Sequence, residues 1–333
     1  MPDRIEYINI TRAAARPNPI FSKALASRQF PAMDAIAATD CFRGSLSRGW
    51  HRCDSATYPG PPGNDESSIA EEVIGVDPRK GNFIVHGFGA EGDKVVKQLA
   101  EDGLSDVAYL SSPAICLNTI LTAPNITLLA EPPDLYIYII AAADLGDWLG
   151  VMTGIVDTCA LNFLMIIDTE APFTEFKRKF QYLTDIFDMT MPLPFPSGID
   201  LYESASWAVS GALDLLVTPG IVCRDYVDVR IATHRSGFGV CIYTNHFATQ
   251  QRADRAMEDI AAQLAGLSNQ LNRPKGALLS IFAGLDMDIG EFDRICGLSL
   301  EPFLGDLKLL VVGVCIHEHL QGWLAVSLVL NGV

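Results

Sequence analysis

The strand-like run Phe83-Ile-Val-His86 is followed by Gly87-Phe-Gly-Ala-Glu-Gly92, and then by a segment whose apolar residues Val95, Val96 and Leu99 recur at helical spacing. A strand, a glycine loop and a helix in that order commit the chain to an α/β architecture. The apolar runs Val107–Leu110, Leu135–Ala143 and Phe163–Ile167 extend the pattern, as buried strands of a parallel sheet covered by helices. A long helix over Glu203–Val217 follows and stops at Pro219-Gly220. Beyond it lie an amphipathic helix over Arg252–Leu264 and strand-like runs at Ala277–Phe282, Lys308–Val314 and Leu324–Leu330.

The expected organisation has four parts. Residues 1–75 lack sustained periodicity and carry the breaker cluster Tyr58-Pro-Gly-Pro-Pro-Gly-Asn-Asp65, so they form a poorly structured N-terminal extension. Residues 76–200 make a Rossmann-like parallel-sheet domain, 201–219 a central helix, and 220–333 a smaller C-terminal α/β domain.

With 40 Asp and Glu against 24 Lys and Arg, the chain carries a formal charge of −16. No cluster of basic residues stands out along it, which excludes a nucleic-acid surface. No uninterrupted apolar run is long enough to span a membrane, and the first residues lack the order of a secretory signal, so a cytoplasmic protein is expected. The eight cysteines are scattered singly, with neither zinc-ligand spacing nor a disulfide framework, as in a reducing compartment. His317-Glu-His319 on a strand would put two imidazoles on one side, but with no third ligand in view an exposed polar strand end is the expectation, and no metal site is assigned. His86 is expected to be a satisfied core histidine.

Glycines between a strand and a helix let backbone N–H groups approach a phosphate, and the helix N-terminus favours negative charge. As a dinucleotide fingerprint the segment needs an acid about 20 residues on to hold a ribose. Tyr109-Leu-Ser-Ser-Pro113 offers none. A tight turn that binds nothing is the other reading left open.

Longer motifs narrow the choice. Gly87-Phe-Gly-Ala-Glu-Gly-Asp93 resembles the first phosphate loop of FtsZ, the bacterial relative of tubulin, usually G-V-G-G-G-G-N. Ala171-Pro-Phe-Thr174 resembles R/K-P-F-x-F-E-G, and Thr218-Pro-Gly-Ile-Val-Cys-Arg-Asp225-Tyr-Val-Asp228-Val is similar to T-P-G-L-I-N-x-D-F-A-D-V. Gln251-Arg-Ala-Asp-Arg-Ala256 resembles G-E-N-R-A-x-E-A, and Ala283-Gly-Leu-Asp286-Met-Asp-Ile-Gly-Glu291-Phe resembles A-G-F-D-L-x-L-x-E-F. Order and spacing agree over residues 80–333, and the chain is identified as a divergent member of the tubulin/FtsZ superfamily.

The resemblance implies a site for GTP or GDP, with Mg only where nucleotide binds, made by Gly87, Phe88, Gly89, Ala90, Glu91, Gly92 and Asp93. Tyr202 is aligned to stack on the base, and Ser206 replaces the carboxylate that reads guanine, which relaxes guanine selectivity. It implies catalytic acids at Asp225 and Asp228, which in such filaments act on the neighbouring subunit's nucleotide by positioning water. The alternative for these two acids is that they begin a strand or cap the preceding turn. Where the family has G-G-G-T-G-T-G, an anion nest, this chain has Ala141-Ala-Ala-Asp-Leu-Gly-Asp-Trp-Leu-Gly150. Asp144 and Asp147 set negative charge against a triphosphate, and Trp148 and Leu149 crowd the site. Pro113 stands where the family carries an acid, and the stretch from Leu117 to Asp134 is too short for the usual loop facing the terminal phosphate.

These features imply a cytoskeletal assembly protein that forms, joins or caps filaments, by self-association or with a conventional FtsZ-like partner, with weak or absent GTP binding and hydrolysis. An active but atypical GTPase and a small-molecule binding protein on the same scaffold are the alternatives. Val333 follows the last strand-like run closely, so the C-terminal linker and tail of FtsZ, and recruitment through them, are not expected.

Overall fold

The computed structural model describes residues 82–101, 107–112, 133–156, 160–168, 171–196, 198–218, 226–247, 251–297, 307 and 309–333. The expected extension at 1–75 lies outside the described residues.

In chain order the elements are β1 (Phe83–Phe88), α1 (Gly89–Glu101), β2 (Val107–Ser112), β3 (Leu135–Ala141), α2 (Leu145–Ile155), β4 (Leu161–Ile167), α3 (Phe173–Phe180), β5 (Met189–Leu193) and α4 (Leu201–Val217). They continue with α5 (Tyr226–Thr233), β6 (Gly237–Phe247), α6 (Arg252–Leu267), β7 (Gly276–Ala283), α7 (Ile289–Cys296), β8 (Leu309–Ile316) and β9 (Trp323–Asn331). The described strands form one nine-stranded sheet in the order β2-β1-β3-β4-β5-β6-β9-β7-β8. Strands β1 to β6 pair in parallel, and β9 runs antiparallel between β6 and β7. The fold is therefore the expected α/β class, with a mostly parallel sheet.

Strand alternation sorts the core into two layers. Ile84, Phe88, Tyr138, Leu164, Ile166, Phe238 and Val240 point to one face, where α2, α3 and α6 supply Trp148, Met152, Phe176, Met257 and Ile260. On the other face Gly92 of α1 lies against the Ile139 carbonyl, and α4 lays Trp207 over Tyr243, with ring centroids 5.0 Å apart. The Ser280 hydroxyl of β7 donates to the Gly211 carbonyl of α4 at 3.0 Å, fixing the central helix to the far half of the sheet.

His86 is buried in β1, as expected. Its Nδ1 lies 2.5 Å from the Tyr136 hydroxyl and its Nε2 2.8 Å from the Ser112 hydroxyl. Burial disfavours the charged ring and pushes its pKa down to about 3. An unfolded chain protonates this histidine near 6.5, so its contribution to stability is complete above that pH. It is lost as pH falls from 6.5 towards 3, at about 1.4 kcal/mol per pH unit. Urea unfolding at pH 7 and pH 5 should show wild type losing roughly 2 kcal/mol more than His86→Asn over that interval.

Candidate functional site

The glycine segment is not a loop. Gly87 and Phe88 end β1, and Gly89 opens α1 directly with a φ of 71°. A β-carbon is disfavoured at that φ, so glycine makes the abrupt turn possible. Gly87 and Gly92 are packing residues: a methyl on Gly87 would run into the Gly92 carbonyl, and one on Gly92 into the Ile139 carbonyl of β3. These close approaches hold α1 tightly on the sheet. Gly92→Ala is expected to cost about 1–3 kcal/mol by overpacking, a loss that denaturant unfolding without nucleotide will show.

Beside Gly89, which is buried, the space is taken. The Asp144 carboxylate, in the turn between β3 and α2, lies against Gly89 where a β-carbon would project. The apolar run beginning at Leu135 was expected to continue as a strand to Ala143. It ends instead at Ala141, and the turn at 142–144 brings Asp144 across to α1. Trp148, one turn into α2, is buried edge-on against Phe88, with centroids 5.3 Å apart. Phe88 itself is a core residue rather than an open contact, packed on His86 and Tyr138 as well.

Other residues of the segment divide in the same way. Ala90 and Glu91 are exposed at the first turn of α1. Asp93 is buried, accepts a hydrogen bond from the Ser111 hydroxyl, and pairs with Lys97 at 3.2 Å. Tyr202 and Ser206 are both buried on α4, and the Tyr202 hydroxyl reaches the Gln98 carbonyl of α1 at 3.4 Å. As arranged, a polyphosphate placed on Gly89 would meet the Asp144 carboxylate.

Of the two acids of the proposed catalytic loop, Asp225 lies outside the described residues. Asp228 is exposed in the first turn of α5, a helix rather than the strand considered for it, where a carboxylate complements the helix dipole. The Tyr226 hydroxyl donates to the Asp134 carbonyl at 2.7 Å, anchoring this helix start beside the entry of β3. Gly89 lies beyond the exit of β1, which pairs in parallel with β3 from Phe83↔Leu135 to Phe88↔Ile140. Six residues of strand separate the two ends, about 20 Å. Asp228 therefore cannot reach the glycine segment of its own chain.

Two motif segments that are far apart in sequence do meet. Arg252 at the start of α6 makes a bidentate pair with Glu291 of α7, at 2.7 and 2.8 Å, and pairs with Asp286 at 2.7 Å. The two motifs hold Arg252, Asp286 and Glu291 without showing that they pair, since no spacing in the sequence links them. His317 and His319 lie at the end of β8, in a short turn and not on the strand, with centroids 5.4 Å apart. Among the described residues no group of three or more His, Cys, Asp or Glu is arranged to hold a metal ion, and no helix is long and apolar enough to cross a membrane.

No protein-family model matches the chain. The cell division protein FtsZ of Coxiella burnetii is 29% identical over 126 residues, 38% of this chain and 32% of that relative. FtsZ of Buchnera aphidicola subsp. Acyrthosiphon pisum is 24% identical over 290 residues, 81% of this chain and 71% of that relative. Among solved structures, a mutant FtsZ from M. jannaschii superposes with a TM-score of 0.61 at 16% identity, covering 76% of this chain and 92% of that one. The GDP-bound monomer of CetZ1 from Haloferax volcanii gives 0.53 at 13% identity, over 76% and 94%.

Proposed function

We propose that the chain, similar to FtsZ in sequence and to FtsZ and CetZ1 in fold, is a divergent member of the tubulin/FtsZ superfamily and a cytoskeletal assembly protein that forms, joins or caps filaments with weak or absent GTP binding and hydrolysis. The observation that carries this reading is the asymmetry between the two ends of the sheet. At the exit end Asp144 sits on Gly89, in the position where a phosphate would need backbone N–H groups and no competing anion. At the entry end Asp228 is exposed on a helix anchored to the sheet.

Surfaces at opposite ends of one chain associate head to tail, and a head-to-tail contact that does not close into a ring propagates as a filament. A subunit of this kind offers its Asp228 end to a neighbour, either a second copy or a conventional FtsZ-like partner. Its glycine end accepts the next subunit without a nucleotide between them, or not at all. The first alternative gives a nucleotide-independent filament and the second a cap.

Sedimentation of the purified chain with and without GTP, with chromatography of nucleotide released on denaturation, tests the reading. Pelleting that is indifferent to GTP, from protein carrying none, is the expected result. GTP-dependent pelleting with phosphate release would replace it with an active GTPase.

A further inference from the structure

At the entry end of the sheet, on the face that carries α3 and α6, a cleft of about 1080 Å³ opens between the two halves of the sheet. Three segments distant in sequence line it with cations: Lys177 and Arg178 from α3, His234 and Arg235 after α5, and Arg273 and Lys275 before β7. Phe187 and Phe238, both buried in the core, lie behind it. The chain as a whole carries a formal charge of −16, so a concave site lined by cations runs against its surroundings. Like charges gathered in a cleft repel one another, and the same field concentrates anions there.

The two acidic side chains of the cleft do not cancel this charge. Asp188 is buried and already committed: it accepts from the Asn162 and Arg235 backbone N–H groups at 2.9 and 3.1 Å, and pairs with His234 Nδ1 at 2.6 Å. Asp185 is exposed at the rim. Among the cations, Lys177 donates to the Gln270 carbonyl at 3.0 Å and lies over the Phe173 ring, so it is occupied too. Arg235 and Lys275 differ: among the described residues, neither side chain makes a hydrogen bond or an ion pair. Arg235 moreover holds a φ of 49°, which glycine would adopt more easily. A side chain with a β-carbon is held there in a left-handed conformation, with its N–H fixed by Asp188.

The geometry points to a second binding site, for a small polyanion bearing phosphate or carboxylate groups, with Arg235 and Lys275 as its principal cations. The volume suits a ligand of nucleotide or metabolite size. The site lies at the opposite end of the sheet from Gly89 and does not depend on the assembly reading.

Calorimetric titration of the full chain with inorganic tripolyphosphate, and separately with tricarballylate, tests this. Saturable binding of one equivalent is expected for at least one of them, and which one binds tells phosphate from carboxylate recognition. Arg235→Gly with Lys275→Gln should weaken it by at least about tenfold, as expected for losing two charge-assisted contacts. Glycine suits the φ at 235 and keeps the N–H to Asp188, so the melting temperature should hold. If the double variant fails to fold, Lys275→Gln alone should weaken binding several-fold. Absence of saturable binding for both anions, or undiminished affinity in the folded variant, would overturn the proposal.

Discussion

Substituting Arg252 with alanine is expected to lower stability by about 3–5 kcal/mol, the cost of breaking a buried ion pair from one side. The guanidinium is 4% exposed and Glu291 8%, so removing the cation leaves a carboxylate in a place where water cannot restore its solvation. The loss is a large part of the 5–15 kcal/mol typical of a folded domain. It also releases three elements at once, because Arg252 ties α6 to α7 through Glu291 and to the β7–α7 turn through Asp286. Glu291 is the third residue of the α7 capping box, so it fixes the start of that helix as well. The informative comparison is Arg252→Met with Glu291→Leu, in which both buried charges go together at the cost of the Glu291 bond in the α7 capping box. Denaturant unfolding should return most of the lost stability in the double variant, whereas a deficit as large as in Arg252→Ala would mean that packing, not charge, holds the junction.

Asp144→Gly is expected to raise affinity for GTP or inorganic pyrophosphate by at least two orders of magnitude. A carboxylate and a phosphate about 4 Å apart repel by roughly 4 kcal/mol near a protein surface, and a glycine at 144 also restores room beside Gly89. The fold should tolerate the change, since the Asp144 side chain makes no capping hydrogen bond to α2. Calorimetry with either anion measures it. Nucleotide affinity that does not respond would move the obstruction elsewhere, to Trp148 and the replaced glycines of the segment 141–150. Bound nucleotide already present in the wild-type chain would sink the idea that Asp144 excludes it.

Much of the fold was legible in the sequence, because the strongest signals were periodic. The runs at Leu135 and Phe163 and the long helix before Pro219 needed only alternation and helical spacing, and they appear with shifts of a few residues at their ends. The glycine segment was misread as a loop, since sequence shows that glycines permit a turn but not how short the turn is. The charge of Asp144 was legible; its seat on Gly89 depends on where β3 stops, which alternation among alanines does not fix. The cleft was invisible for a different reason. No local cluster marks it, and the expectation that the chain holds no basic patch fails in space because Lys177, Arg235 and Lys275 are gathered by the sheet from three connections. The Arg252 pairing required the same step, from neighbours in sequence to neighbours across helices.

Along the nine-stranded sheet the strands are joined unequally. Strands β3 and β4 share seven register pairs and β6 and β9 share nine, whereas β5 and β6 meet only at Met189↔Gly237 and Thr190↔Phe238. That contact is the narrowest backbone pairing of the sheet, at the junction of its two halves. With so few backbone hydrogen bonds in parallel, its stiffness comes from what is layered over it: α4 on one side, and the aromatic packing of Phe176 on Phe238 on the other. The two halves of the sheet thus hold together at this line chiefly through side chains, and the cationic cleft opens beside it.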